Sequence, residues 1–458
     1  MSLQEADHSA AFWQTGTFWR RVGIAVPGLW ASVALGFATT LVLARSLGPQ
    51  GFGALALATS VVATVAVLLD VPLEEAVVHH GSRALVAGAP GTLYGILRRS
   101  LVADAVTGVS VASLVLALAE PVAYLTSGGW LDPQLVRLAA LTTMVQTVDG
   151  TTGAALLLAG RPHTRAWLMA ASGALRLTLV GSTAFATQSP RWTLFAALVA
   201  AVAGSTLQGW AAWRAGGREW RRDRVRADVE VGIGPLLSFG LRSALATTVS
   251  GARNGLIPVV LGRLSGPAAV AVFEVATFPL QAADVAGAPV RLALFPEQAR
   301  LAAEGRHREL PDSSRAYVRA GLVIGVPAAI AGWFLLPWLI PTLYSARYAD
   351  AVTPARIFLL AAIGSLAFGW TKTLPAALGR PDVRVVVLAL DAVVVLSLLV
   401  IFAPRGAVGG AIAVTAGLLT QAVVWTVLLR RAAWRHSPYP APAIHPRQVL
   451  RSRKASEP

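Results

Sequence analysis

The sequence predicts an all-α polytopic membrane protein, with about 12 transmembrane helices in two parallel six-helix halves around a central cavity. Three observations predict it. The first is composition: of 458 residues 55% are hydrophobic and only 14% charged, with a mean hydropathy of +0.61. A soluble chain of this length shows more charge. The second is a series of apolar runs long enough to cross a bilayer. The third is where the basic residues fall.

The expected spans are 22–43, 53–78, 100–119, 135–159, 166–187, 192–213, 236–262, 268–296, 316–340, 354–378, 384–403 and 408–429. With the N-terminus in the cytoplasm, the inner connectors and tail hold 27 of the 39 Lys and Arg residues, and the outer connectors hold six. That bias fixes the orientation under the positive-inside rule, with both termini in the cytoplasm. It also explains the formal charge of +16. The basic residues are spread over many short connectors, so a nucleic-acid partner is excluded. No cysteine is present, which removes thiol chemistry.

Residues 1–21 read as a cytoplasmic segment with an interfacial helix. Its aromatics are Phe12, Trp13, Phe18 and Trp19, and Arg20 and Arg21 precede an uncleaved first span. The first six-helix half is 22–213, a basic linker covers 214–235, the second half is 236–430, and 431–458 is a basic cytoplasmic tail expected to be disordered.

The halves follow from an internal repeat. LARSLGPQGFGALALAT at 43–59 aligns with LGRLSGPAAVAVFEVAT at 261–277, an offset of 218. GRPHTR at 160–165 aligns with GRPDVR at 379–384, an offset of 219. A Gly-Pro pair ends a helix sharply wherever it occurs, but local turn chemistry does not explain a shared offset. Six crossings per half make the halves parallel, related by an axis along the membrane normal.

Charges inside spans are costly, about 2.5–3.5 kcal/mol each on insertion scales, and face protein or water. In the seventh span Arg242 and Arg253 lie about 16 Å apart on one face, with Ser243, Thr247, Ser250 and Asn254 extending the stripe. The eighth gathers Glu274, Thr277, Gln281, Asp284 and Arg291 on one arc. Ser172 and Arg176 align in the fifth, and Thr142, Gln146 and Asp149 in the fourth. Lys372 follows Ser365 by seven in the tenth, Asp391 lies in the eleventh, and Asp70 lies toward the inner end of the second with Glu74 and Glu75 beyond it. Spans 6, 9 and 12 lack such charges, the third has only Asp104 near its inner end, and all four are expected to be peripheral. Arginine pairs well with phosphate, so Arg176, Arg242, Arg253, Arg291 and Lys372 form a candidate anion path. The alternative is that they pair internally with Asp149, Glu274, Asp284 and Asp391.

These segments resemble the polysaccharide (O-antigen type) flippases of the MOP exporter superfamily. The residues carrying the likeness are 43–61, FPLQAADVAGAPVRLALFPEQARLAAEG at 278–305, LYSARYADAV at 343–352, ALGRP at 377–381 and APRGAVGGAIAVTAGLLTQ at 403–421. The resemblance implies a flippase in the bacterial cytoplasmic (inner) membrane, serving cell-surface polysaccharide synthesis. It implies alternating access and an undecaprenyl-diphosphate-linked oligosaccharide moved from the inner to the outer leaflet. Its partners would be membrane lipids and other polysaccharide-assembly membrane proteins. Arginines would take the diphosphate and neutral polar groups, such as Gln146 and Gln281, the sugars. Asp70, Asp149, Glu274, Asp284 and Asp391 would bind a coupling ion or act as counter-ions. Some relatives carry basic residues in the first span, whereas 22–43 here is uncharged.

A lipid II or MATE-like exporter is the alternative within the superfamily. An integral-membrane glycosyltransferase, polymerase or ligase is the alternative outside it, but the outer loops are too short for such an active site. The seven histidines lack metal-ligand spacing, and no nucleotide-binding loop is present. The expectation is a transporter without enzyme activity, cofactor or metal.

Overall fold

The computed structural model describes residues 16–86, 89–216, 232–303, 306, 309–378 and 381–430. The tail, most of the expected linker and most of the N-terminal segment lie outside the described residues.

The described elements are helical. α1 spans Gly16–Leu69, α2 Glu74–Val86, α3 Pro90–Ala117, α4 Ala119–Ser127, α5 Pro133–Gln146, α6 Asp149–Leu158, α7 Pro162–Thr187 and α8 Pro190–Ala215. α9 spans Ile233–Ala276, α10 Phe278–Ala303, α11 Leu310–Leu343, α12 Val352–Ala367, α13 Leu374–Ala377, α14 Pro381–Phe402 and α15 Ala407–Arg430. Short 3₁₀ turns fill Ala346–Ala351, Gly369–Lys372 and Ala403–Arg405. Prolines at the first turn open α3, α5, α7 and α8, where a missing N–H costs nothing. Asp132 caps α5 by accepting from the Gln134 N–H at 2.8 Å.

Nine helical stretches among the described residues are long and apolar enough to cross a membrane. Two of them, Pro27–Leu69 and Ala244–Ala288, contain a break in helical geometry and each supply two passes. The interrupted pair α5–α6 supplies one more, which accounts for the twelve crossings the sequence predicts.

The breaks fall at Gly48 (φ 67°, ψ 178°) and Gly266 (φ 78°, ψ −178°). Only glycine adopts this region readily. The two positions are 218 residues apart, the offset of the sequence repeat, and each is followed by proline, Pro49 and Pro267. The repeat therefore extends to backbone conformation.

Two expectations fail locally. The fourth span is not one helix, because Thr147 and Val148 interrupt it and the Thr147 hydroxyl turns back onto the Met144 carbonyl at 2.8 Å. The tenth stops at Ala367, so Lys372 sits on a 3₁₀ turn rather than seven helical residues beyond Ser365.

The chain forms two compact units. The first comprises 1–276, 336–355 and 396–413. Within it the first arm of α1 runs parallel to α7: Gly28 meets Ala166, Gly173 meets Leu35 and Gly181 meets Val42. The second arm runs antiparallel to α9, where Gly251 meets Val67, Gly255 meets Thr64 and Gly262 meets Leu57. A Cβ on Gly255 would lie 2.1 Å from Thr64 Oγ1. Close approach at small residues is how helices associate where lipid offers no hydrophobic contrast. The segment 336–355 is pinned to the Gly48 turn. The Tyr348 hydroxyl donates to the Ala44 carbonyl at 3.1 Å, and Arg45 donates to the Thr342 carbonyl.

The second unit comprises 277–335, 356–395 and 414–458. Its core holds Trp370 edge-on to Trp425, ring centroids 6.0 Å apart, with Leu374, Leu378 and Val387 around them. The Thr373 hydroxyl donates to the Gln298 side-chain oxygen Oε1 at 2.8 Å.

Candidate functional site: a polar cavity in the first unit

The first unit encloses a cavity of about 640 Å³ between α1, α5, α6, α7 and α8. Several sequence-predicted residues converge on it. α7 contributes Ser172 and Arg176, and α5–α6 contribute Thr142, Gln146 and Asp149. The helix break at 147–148 leaves all three of the latter in the wall. Hydroxyls of Ser32, Thr39 and Thr59 on α1 line the facing side.

Arg176 is exposed in this space and makes no ion pair or hydrogen bond among the described residues. A guanidinium held inside an apolar bundle without a carboxylate partner is costly. It therefore needs water or an anion in the cavity. Asp149 lies beside the Ser205 hydroxyl, and its Oδ1 is enclosed without a well-formed hydrogen bond.

Arg165 and the polar residues of α8 were not anticipated. Arg165, expected in an inner connector, pairs with Glu74 at 2.7 Å at the cavity wall. α8, the sixth span, was expected to be peripheral, yet Thr193, Ser205 and Gln208 line the cavity. The correction has a simple cause: charge alone marked interior spans, and α8 contributes neutral polar groups. Gln208 donates to the Asp149 carbonyl at 2.7 Å and to Thr152 Oγ1 at 2.9 Å, which ties α8 to α6.

The remaining candidates lie elsewhere. On α9, Thr247 and Ser250 turn their hydroxyls onto the backbone of their own helix, at 2.7 Å to Ala244 and 3.1 Å to Ala246. Arg253 donates to the Asn254 side-chain oxygen at 2.7 Å. The side chains of Arg242 and Ser243 lie outside the described residues. None of the described members of this set lines the cavity. Glu274 is half-buried on the second arm of α9, and Asp70 half-buried after α1.

In the second unit Asp284 collects two of the predicted cations. It accepts from Lys372 and pairs with Arg291 at 3.3 Å; Arg291 also donates to the Asp284 backbone carbonyl at 2.9 Å. Gln281 donates to the Thr277 hydroxyl at 2.8 Å. Asp391 is buried where α14 meets α15, so close that a Cβ on Gly417 would come within 2.5 Å of its Oδ1. Among the described residues no cluster of three His, Cys, Asp or Glu side chains has the spacing to hold a metal.

Twelve crossings, paired Gly-Pro breaks and a polar cavity within the bundle define a multi-pass membrane protein with the fold of MOP superfamily transporters. An inward-facing multidrug-resistance MATE transporter superposes with a TM-score of 0.66 at 16% identity, covering 94% of this chain and all of that one. The lipid II flippase MurJ, in an inward closed conformation, gives 0.64 at 12%, covering 87% of each chain. A MOP superfamily transporter from Pyrococcus furiosus, described as having a binding pocket of reverse polarity, gives 0.61 at 15% over 90% of this chain and 94% of that one. No curated protein matches the sequence. The chain belongs to the polysaccharide biosynthesis protein family, whose model matches residues 19–301.

Proposed function

We infer that the chain is a flippase that moves an undecaprenyl-diphosphate-linked oligosaccharide from the inner to the outer leaflet of the bacterial cytoplasmic membrane, by alternating access, with both termini in the cytoplasm. The observation that carries this is Arg176. It is a cation with no ion pair or hydrogen bond among the described residues, in a cavity whose wall includes hydroxyls and amides, in a chain of the polysaccharide biosynthesis family. A diphosphate satisfies the guanidinium through paired, charge-assisted hydrogen bonds. Ser32, Thr142, Gln146 and Ser172 offer donors and acceptors suited to sugar hydroxyls. Asp149, in the same wall, is the candidate for the coupling ion or the counter-ion. Arg242, Arg253, Arg291 and Lys372 are proposed as further ligands of the anion.

The two six-helix halves, 22–213 and 236–430, belong to the same proposal. The matched Gly48 and Gly266 breaks support a duplicated unit, and parallel repeats are one construction used by transporters.

Deletion of the gene tests the function. The expected result is accumulation of completed lipid-linked repeat units in the inner leaflet, with export restored by the wild-type chain. Incomplete repeat units would overturn the reading in favour of an assembly enzyme. Arg242→Ala and Arg253→Ala, expected to abolish export at normal expression, test the α9 extension of the path.

A further inference from the structure

The first unit holds a second cavity, of about 360 Å³, that transport leaves unused. It is a slot between α3 and α8, floored by α6. Leu97, Leu101 and Val102 form one wall, and Gly209 and Ala212 the other. The slot exists because α8 presents small residues here: a Cβ on Gly209 would meet no atom within 4 Å. Val102 and Trp213 at its rim are 56% and 61% exposed, so it opens toward the lipid phase.

An apolar void of this kind does not hold water, which needs two to four polar partners. A hydrocarbon chain fills it with dispersion contacts on every side. One end is different. Arg98 sits there, one helical turn from Tyr94, exposed and without an ion pair or hydrogen bond among the described residues. Nearby on α8, Arg214 stacks over the Trp210 ring at 4.0 Å. Arginine beside Tyr and Trp marks the headgroup level of a bilayer. In the orientation proposed above, this is the inner leaflet.

We propose that this slot is a binding site for an anionic phospholipid of the inner leaflet, with one acyl chain between α3 and α8 and the phosphate on Arg98. The wall between slot and polar cavity argues for a resident lipid over the tail of the cargo. Thr152 faces the slot, Gln208 faces the cavity, and the 2.9 Å hydrogen bond between them closes the partition. A cargo with its diphosphate on Arg176 has no route for its tail through that partition.

The test is native mass spectrometry of the purified full-length protein, titrated separately with phosphatidylglycerol, phosphatidylcholine and undecaprenyl phosphate. The readout is lipid retention, so it stands apart from the export reading. The wild-type chain is expected to retain phosphatidylglycerol over phosphatidylcholine. Gly209→Leu, whose Cβ meets no atom within 4 Å, projects into the slot and is expected to reduce retention tenfold or more. Ala105→Leu, from the opposite wall, should do the same, which guards against a folding defect in either variant alone. Arg98→Gln should erase the preference for phosphatidylglycerol while leaving some chain binding. Wild-type retention in both slot-filling variants overturns the proposal, as does an unchanged headgroup preference in Arg98→Gln. Loss confined to undecaprenyl phosphate also overturns it, and assigns the slot to the cargo.

Discussion

The turns after the first and seventh passes are alike, and the intramembrane cations of the two units are not. Gly48 and Gly266 adopt the same rare backbone conformation 218 residues apart. Among the described residues Arg176 stands unpaired in its cavity, whereas Arg291 and Lys372 are both held by Asp284. The contrast teaches that a shared turn conformation does not entail shared chemistry. A turn conformation is set by two adjacent residues. The state of a charge is set by whichever side chains the fold brings within reach.

The largest effect is expected at Arg176. Truncating one partner of a desolvated charged contact costs about 2–5 kcal/mol, so Arg176→Leu should lower export at least thirtyfold, to near background. Thermal stability should be unchanged or slightly raised, because a cation without a partner is removed from the bundle. A transport assay and a melting curve on the same variant check both halves of this. Export within threefold of wild type would remove Arg176 from the substrate path.

Next come the turns. Gly48→Ala and Gly266→Ala force a Cβ into a backbone region that is essentially glycine-only, which costs about 1–3 kcal/mol each. At Gly48 the nearest atom to a Cβ is the movable Arg347 guanidinium at 3.2 Å, which a small shift relieves, and none lies within 4 Å at Gly266. The cost is therefore conformational and should be similar at the two sites. Denaturation of each variant in detergent checks it. Equal losses sharpen the duplication; a loss at one site alone breaks it.

Much of this was legible in the sequence, for identifiable reasons. Crossings announce themselves by length and hydropathy, and the paired turns by Gly-Pro at a common offset. The alignment of Ser172 with Arg176, and of Thr142 with Gln146 and Asp149, needed only helical periodicity, and these residues do meet in one cavity. Other features depend on contacts between distant segments. Nothing local in Arg165 says that Glu74, on a different helix, will pair with it. Gln208 carries no charge, so no charged face marks it, although it holds the cavity wall. Nor does the spacing of Asp284, Arg291 and Lys372 reveal that the first closes on both others, because Lys372 arrives on a 3₁₀ turn after its helix has ended.

Asp284 tests the other side of the contrast. Asp284→Asn leaves Arg291 and Lys372 facing each other without a carboxylate. Removing one member of a fully buried pair costs about 3–5 kcal/mol. Asp284 and Lys372 are about half exposed, so a loss of about 1–2 kcal/mol is expected, closer to the surface limit. The double variant Asp284→Asn with Lys372→Met should recover most of it, since one excess cation is gone. If the double variant is no more stable than the single one, the three residues do not act as a unit.

The smallest effect is expected at the Glu74–Arg165 pair, where the two kinds of cation meet in one cavity. Its distance is short, 2.7 Å, but Glu74 keeps 35% of its side-chain exposure and Arg165 23%. Partly solvated pairs of this kind contribute about 0–1 kcal/mol, so Glu74→Gln should shift the melting temperature little. Its effect on transport is more informative. Glu74→Gln frees Arg165 and gives the cavity a second unpaired cation beside Arg176. If unpaired cations draw the phosphate, binding of the cargo should tighten about two- to tenfold in Glu74→Gln, and Arg165→Gln should leave it near wild type. Screening by salt should weaken the gain, as for any solvent-exposed charge. Loss of binding in Glu74→Gln would mean that the carboxylate itself is needed in the wall, and the cavity would then select for something other than an anion.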